Sequence, residues 1–174
     1  MNIFFIVLRS GMPLINQISV DPEHGLNRTL YEMEQLEIIS MKNSNFINFV
    51  KRTFDDDCIS CIPGKIWNYV IDNFTYQSDL PYDEIIRAPH VLLSQKVGDC
   101  DDFALFIKTC LDVLGVYYTR YLLLGETNRG YSHILVFAFR GYSKGVYQDP
   151  VYLDGANKSF NVIPDKYKFY KIIG

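Results

Sequence analysis

The sequence predicts an α+β domain: helices packed on an antiparallel sheet, with a cysteine placed at one helix start. Three observations carry this. From residue 27 to residue 114, apolar positions recur at three- and four-residue intervals, the spacing of helices with one buried face. After Gly115 the pattern changes to alternation, the period of strands. The 174 residues, 48% of them hydrophobic and 15% aromatic, suffice for one domain with its own core, so disorder is excluded.

In chain order, Met1–Leu8 is apolar and reads as a buried strand. It lacks a basic leader and is interrupted by Arg9, which makes it a poor secretion signal, and it is far too short to span a bilayer. Ser10–Pro13 and Asp21–Gly25 read as turns. Asn27 can cap a helix to about Met41, with Leu30, Met33, Leu36 and Ile39 on its apolar side. Ser44 can cap a second through Phe46, Val50 and Phe54, ended by Asp55-Asp56-Asp57. A third runs from Pro63 to about Phe74 and carries the only tryptophan, Trp67, read as core. Thr75–Tyr82 and the segment around His90 read as loops, with His90 at the surface.

The central stretch is Lys96–Gly115. Gly98 permits a turn and Asp99 is a suitable N-cap. Cys100 opens a helix whose face it shares with Phe103, Ala104, Ile107, Leu111 and Leu114, with Asp101, Lys108, Thr109 and Asp112 opposite. Gly115 stops it. A thiol at a helix N-terminus is where a nucleophile gains thiolate character; a free cysteine there can equally be a small packed hydrophobe. Beyond it, 116–124 and 131–139 read as strands, the second with His133, Leu135, Phe137 and Phe139 on one face. Further strands follow at 146–149, within 151–163 and at 167–173.

The four cysteines do not form a disulfide framework, and a reducing, cytoplasmic or otherwise intracellular setting is the simpler expectation. Cys58-Ile-Ser-Cys61 lacks the two further ligands that zinc needs and the preceding strand that a redox motif needs, so packed cysteines are expected. A net charge of −3 with both signs interspersed argues against nucleic acid or a membrane as partner.

A thiol, then a strand histidine, then a carboxylate form a nucleophile, base and orienter. Cys100 and His133 take the first two roles. For the third, a tight hairpin at 140–145 would put His133 opposite residue 152, leaving Asp149, Asp154 and Tyr152 as possible partners. The Cys100 backbone N–H is a ready oxyanion donor; the Gln95 amide and the Trp67 indole are lesser candidates.

Val97-Gly-Asp-Cys-Asp-Asp-Phe-Ala-Leu-Phe106, Leu114-Gly-Val116, Ser132-His-Ile-Leu-Val136 and Val146-Tyr-Gln-Asp-Pro150 together resemble the transglutaminase-like superfamily, whose papain-like fold carries a Cys, His, Asp triad in this order. The resemblance covers about Pro63 to Tyr152 and implies Cys100, His133 and Asp149 as the catalytic set. It implies a cysteine peptidase, amidase or acyl transferase acting on a peptide or protein substrate through a thioester, with no metal or organic cofactor. The histidine strand lacks the family's frequent tryptophan and acid, having Ile134, Leu135 and Val136 instead. The other reading is a structural or binding protein of this fold in a larger assembly, such as a virus particle, docking through residues 1–55, which match nothing in the family. The expected organisation is a single domain, 1–174, with a catalytic core at 63–152 and C-terminal strands at 153–174.

Overall fold

A computed structural model describes residues 5–7, 13–19, 25–80, 83–128 and 130–174. The elements are β1 (Phe5–Val7), β2 (Pro13–Ser19), α1 (Gly25–Ser40), α2 (Ser44–Phe54), a 3-10 turn (Ile59–Cys61), α3 (Ile62–Asn73), β3 (Thr75–Tyr76), β4 (Asp83–Arg87), α4 (Pro89–Gln95), β5 (Val97–Gly98) and α5 (Cys100–Leu114). After them come β6 (Tyr118–Gly125), β7 (His133–Phe139), β8 (Gly141–Ser143), β9 (Val146–Gln148), β10 (Val151–Asp154), β11 (Ser159–Phe160) and β12 (Phe169–Ile173). The α+β class and the switch at Gly115 are as expected. Most of the Asp21–Gly25 turn, and all of Met1–Leu8 except β1, lie outside the described residues.

The main sheet has the order β11-β10-β7-β6-β12 and is antiparallel throughout. Helices cover one of its faces. On that side Tyr121, Leu123, Ile134, Val136, Ala138 and Leu153 meet α5 and the helices around it. Leu122, Leu124, Leu135, Phe137 and Phe139 point the other way, into a smaller core closed by Tyr147, Tyr152, Ile163 and Tyr167. All seven residues of β7 are therefore buried. The row Leu135, Phe137, Phe139 faces this second core rather than the helices, because the chain after β7 folds back over the sheet.

Helix α5 is the centre of the fold. It is buried over most of its circumference, its polar residues Asp101, Asp102 and Thr109 included, because other elements enclose it. Phe106 is completely buried and meets Phe46 of α2 and Phe74 edge-on, at 5.9 and 4.9 Å between ring centres. Helices α1 and α2 supply Met33, Leu36, Phe46, Val50 and Phe54 to the same core. The N-terminal helices are thus part of the domain that holds the cysteine. Asn43, one residue before the expected Ser44, caps α2 by accepting the N–H groups of Asn45 and Phe46, both at 3.1 Å.

Three elements depart from the sequence reading. Strands β2 and β4 pair with each other, and β1 pairs with β2, in a separate small sheet. The segment around His90 is helical, started by Pro89, and His90 is half-buried with its Nδ1 3.0 Å from Ser40 Oγ. Cys58 and Cys61 are exposed and joined in a disulfide, where packed thiols were expected. Among the described residues no helix is long and apolar enough to cross a membrane.

Phe106→Ala removes the ring at the centre of this packing. It is expected to lower stability by about 3–5 kcal/mol, a fall of roughly 10 °C in the thermal midpoint, measured by circular dichroism. A change of a degree or less would show that α5 is not the organising element.

Candidate active site

Two turns position the site. At the first, Asp99 precedes α5 and Asp102 reaches back to accept the Asp99 backbone N–H at 3.4 Å. A Cβ on Gly98 would lie 2.6 Å from Asp102 Oδ2, so this fold-back requires glycine there. Asp102 is fully buried and also accepts from the Arg87 backbone N–H (2.7 Å) and from Arg87 Nη1 (2.6 Å). That ion pair ties the end of β4 to the start of α5. At the second turn, Asp154 ends β10 and Gly155 lies against α3 and α5, where a Cβ would meet Val70 at 2.9 Å and Phe103 at 3.3 Å. The Trp67 indole N–H donates to the Asp154 carbonyl at 3.0 Å.

Cys100 and His133 line one cavity of ≈260 Å³, with Leu26 and Leu30 of α1, Glu84, Asp101 and Ile134 among its walls. The backbone N–H of Ile134 lies beside the cysteine sulfur, where it favours the thiolate. His133 is buried, and its Nε2 lies 2.7 Å from Asp154 Oδ2. Asn157 Nδ2 sits 2.9 Å from both that oxygen and Nε2. Two donors do not bond each other, so Nε2–H donates to the carboxylate and the Asn157 amide does likewise. The Asn157 backbone N–H donates to the other oxygen, at 2.9 Å. Burial works against the charge on Asp154, but the His133 and Asn157 hydrogen bonds hold its carboxyl below the ordinary value. Tyr167 stacks on the imidazole, 5.4 Å between ring centres. With Nε2 engaged, Nδ1 is the ring nitrogen left for other chemistry.

Asp149 is not the histidine's partner. It is exposed, adopts a positive φ of 49°, and its nearest opposite charge is Arg140 at 3.7 Å. Residues 141–148 form their own hairpin, β8–β9, and β10 pairs with β7 only from Val151, opposite Ala138. The strand-end carboxylate that reaches His133 is therefore one turn later, at Asp154. Gln95 is exposed and its amide oxygen accepts from Arg87 Nε at 3.2 Å; Trp67 is committed to Asp154. The sequence reading did not single out Arg87, Asn157 or Tyr167. Asn157, three residues after the turn carboxylate, carried the only local signal.

The acids around Cys100 also differ from expectation. Asp101 is not on a solvated face: it is 3% exposed, and neither of its carboxylate oxygens has a hydrogen-bond donor. Oδ1 of Asp99 is likewise without one. Asp79, Glu84 and Asp99 bring one oxygen each within 4.8 Å of one another, and Asp99, Cys100 and Asp101 form a second group of the same size. Burial, and then the close approach and charge of the Asp99 carboxylate, which favour a proton shared between the two acids, push Asp101 well above the usual carboxylate range. Burial and Asp99 push Glu84 up as well. The same two causes, burial first, raise the Cys100 thiol to about 12, against the N–H of Ile134.

No family profile matches this chain, and no curated protein matches its sequence. Solved structures do. LapG of Legionella pneumophila superposes with a TM-score of 0.52 at 16% identity, over 74% of this chain and 75% of LapG. Its calcium-bound form gives 0.55 at 16% identity, over 78% and 80%. A candidate protease of Parabacteroides distasonis gives 0.50 at 14% identity, over 70% of this chain and 25% of that one. The chain has the transglutaminase-like fold. At these identities the likeness establishes the fold alone.

A carboxyl group whose folded pKa is raised contributes stability that is complete below its unfolded pKa and is lost as pH rises through the folded value. Asp101 and Glu84 are both raised, so with a chelator present the protein should lose stability as pH rises out of the ordinary carboxylate range and through their raised values. Asp101→Asn is expected to raise the thermal midpoint at pH 8 by roughly 4 °C and to change it little near pH 4. An equal shift at both pH values would show that Asp101 is not carrying an uncompensated charge.

Proposed function

We propose that the chain is a cysteine peptidase that cleaves a peptide bond through a thioester on Cys100. The observation that carries this is the placement of Cys100 and His133 on one cavity, with Nε2 of His133 fixed by a buried Asp154. Sequence chemistry and fold agree with it: the thiol opens a helix, and the structural neighbour LapG is a transglutaminase-like cysteine protease.

In this reading Nδ1 of His133 takes the thiol proton as the sulfur attacks the carbonyl carbon. The Cys100 backbone N–H, at the N-terminus of α5, faces the developing oxyanion. His133 then protonates the leaving amine, and water, activated by the same nitrogen, hydrolyses the thioester. Asp154 keeps the imidazole in the tautomer with hydrogen on Nε2 and supports its positive charge. Because the thiol is held neutral by burial and by Asp99, proton transfer accompanies attack rather than preceding it.

The carboxylates beside the thiol fit a hard divalent cation. Asp79, Glu84 and Asp99 bring one oxygen each together, Asp99 and Asp101 meet again beside the Cys100 sulfur, and three of the buried oxygens lack donors; these hard oxygen ligands would suit calcium. A bound cation supplies positive charge that offsets the field opposing ionisation of Cys100. One neighbouring LapG structure is calcium-bound, and the fit of these residues carries the same ligand to this chain.

The test is digestion of a diverse peptide pool in calcium, with products read by mass spectrometry. Wild-type protein is expected to cleave, Cys100→Ala to be inactive, and His133→Ala to fall by at least about 10²-fold. Cleavage that survives Cys100→Ala refutes the proposal. In parallel, calcium at about a hundredfold over its dissociation constant should stabilise the fold by about 2.7 kcal/mol, and Asp101→Asn should abolish that gain. A midpoint indifferent to calcium would remove the cation from the account.

A further inference from the structure

The cavity at Cys100 does not end at α1. A second hollow of ≈340 Å³ lies along the same helix, and Leu30 is a wall of both. Strand β6 also runs past both, with Leu123 in the first and Tyr121 in the second. Strand β6 gives the spacing: from Leu123 to Tyr121 is two strand residues, ~6.8 Å. Two residues of extended peptide span about 7 Å. The second hollow therefore lies where the side chain two residues from the scissile bond would arrive.

Its chemistry is acidic. Glu34 stands exposed at its rim, with no ion pair among the described residues. Glu37 lies deeper. Lys108 is the one cation there, and it is already held by two carboxylates: Glu37 at 2.8 Å and Asp112 at 2.7 Å. Three acids thus face one ammonium group whose hydrogens are committed. The Tyr121 hydroxyl, on a side chain 5% exposed, is buried without a hydrogen-bond partner. A buried phenol seldom stays unpaired, and Tyr121 is one of the walls of this hollow. Apolar surface from Leu30 and Tyr31 suits the methylene stem of a long side chain, with its charged head at Glu34.

We infer that this hollow is a specificity subsite for a lysine or arginine of the substrate, two residues from the cleaved bond, recognised by Glu34 and the Tyr121 hydroxyl. The inference rests on the peptidase reading of Cys100. It adds a substrate class, basic peptides, which the reactive residues themselves do not specify. The subsite lies along α1, an element outside the family pattern legible in the sequence.

The experiment uses the full chain in calcium and a set of peptides sharing one cleaved bond. Lysine, norleucine or glutamate is placed in turn at two residues before and two residues after it. On one of the two sides lysine is expected to be cleaved about threefold to fivefold faster than norleucine, as for a partly exposed ion pair, and glutamate slower than both. Glu34 is a rim residue, so Glu34→Lys should fold normally and reverse the order to favour glutamate. Equal rates for lysine and norleucine on both sides, or a preference untouched by Glu34→Lys, overturn the subsite and leave the peptidase reading standing. Absence of cleavage of every peptide, with no acylation of Cys100, overturns both.

Discussion

The structure depends on burying the N-terminal turn of α5. That turn carries Cys100 and three carboxylates, Asp99, Asp101 and Asp102, into the junction of helices, main sheet and small sheet. Burying so many acids is unfavourable unless each finds compensation. Asp102 finds it in Arg87, which explains why β4 comes back across the start of the helix. Asp99 finds part of it in a capping box, accepting the Asp102 backbone N–H, while among the described residues the oxygens of Asp101 find no donor. The same helix that anchors the core through Phe106 thus begins in a cluster of carboxylates directly beside Cys100, where the proposed cation would sit. Core packing and active-site electrostatics are two ends of one element.

The histidine side is built on the opposite principle, with both oxygens of its buried carboxylate answered. Nε2–H of His133, the Asn157 amide and the Asn157 backbone N–H all point at Asp154, whose carbonyl is held by Trp67 from α3. Tyr167 covers the ring. Such a saturated network fixes one tautomer and one orientation. The thiol and the imidazole therefore reach the same cavity with different freedoms: the base is locked, and the acidity of the thiol is open to control by its charged surroundings.

Much of this was legible in the sequence. The Gly98 turn, the Asp99 start, Cys100 and the Gly115 stop form one local pattern, and His133 stands in an unbroken apolar strand. Local patterns of this kind are governed by capping and periodicity. What was not legible was tertiary. The choice between Asp149 and Asp154 turns on whether residues 141–148 extend the sheet or form their own hairpin, and the sequence pattern around 140–150 permits both. Helical periodicity put Asp101 opposite Cys100 on a solvated face, but its carboxylate is buried and comes within 4.8 Å of the thiol on the same cavity, because the other elements close over the first turn of α5. Cys58 and Cys61 gave no sign of being bonded, since a two-residue spacer serves metals, redox pairs and plain packing alike.

The assignment of Asp154 as the partner of His133 is the claim on which the site rests, and acylation of Cys100 by a peptide thioester tests it most directly. Rates would be compared in wild-type protein, Asp154→Asn and Asp149→Asn. The account predicts that Asp154→Asn slows acylation by about 10²-fold, while Asp149→Asn reacts as wild type does. Loss of acylation in Asp149→Asn, with Asp154→Asn unaffected, would contradict it.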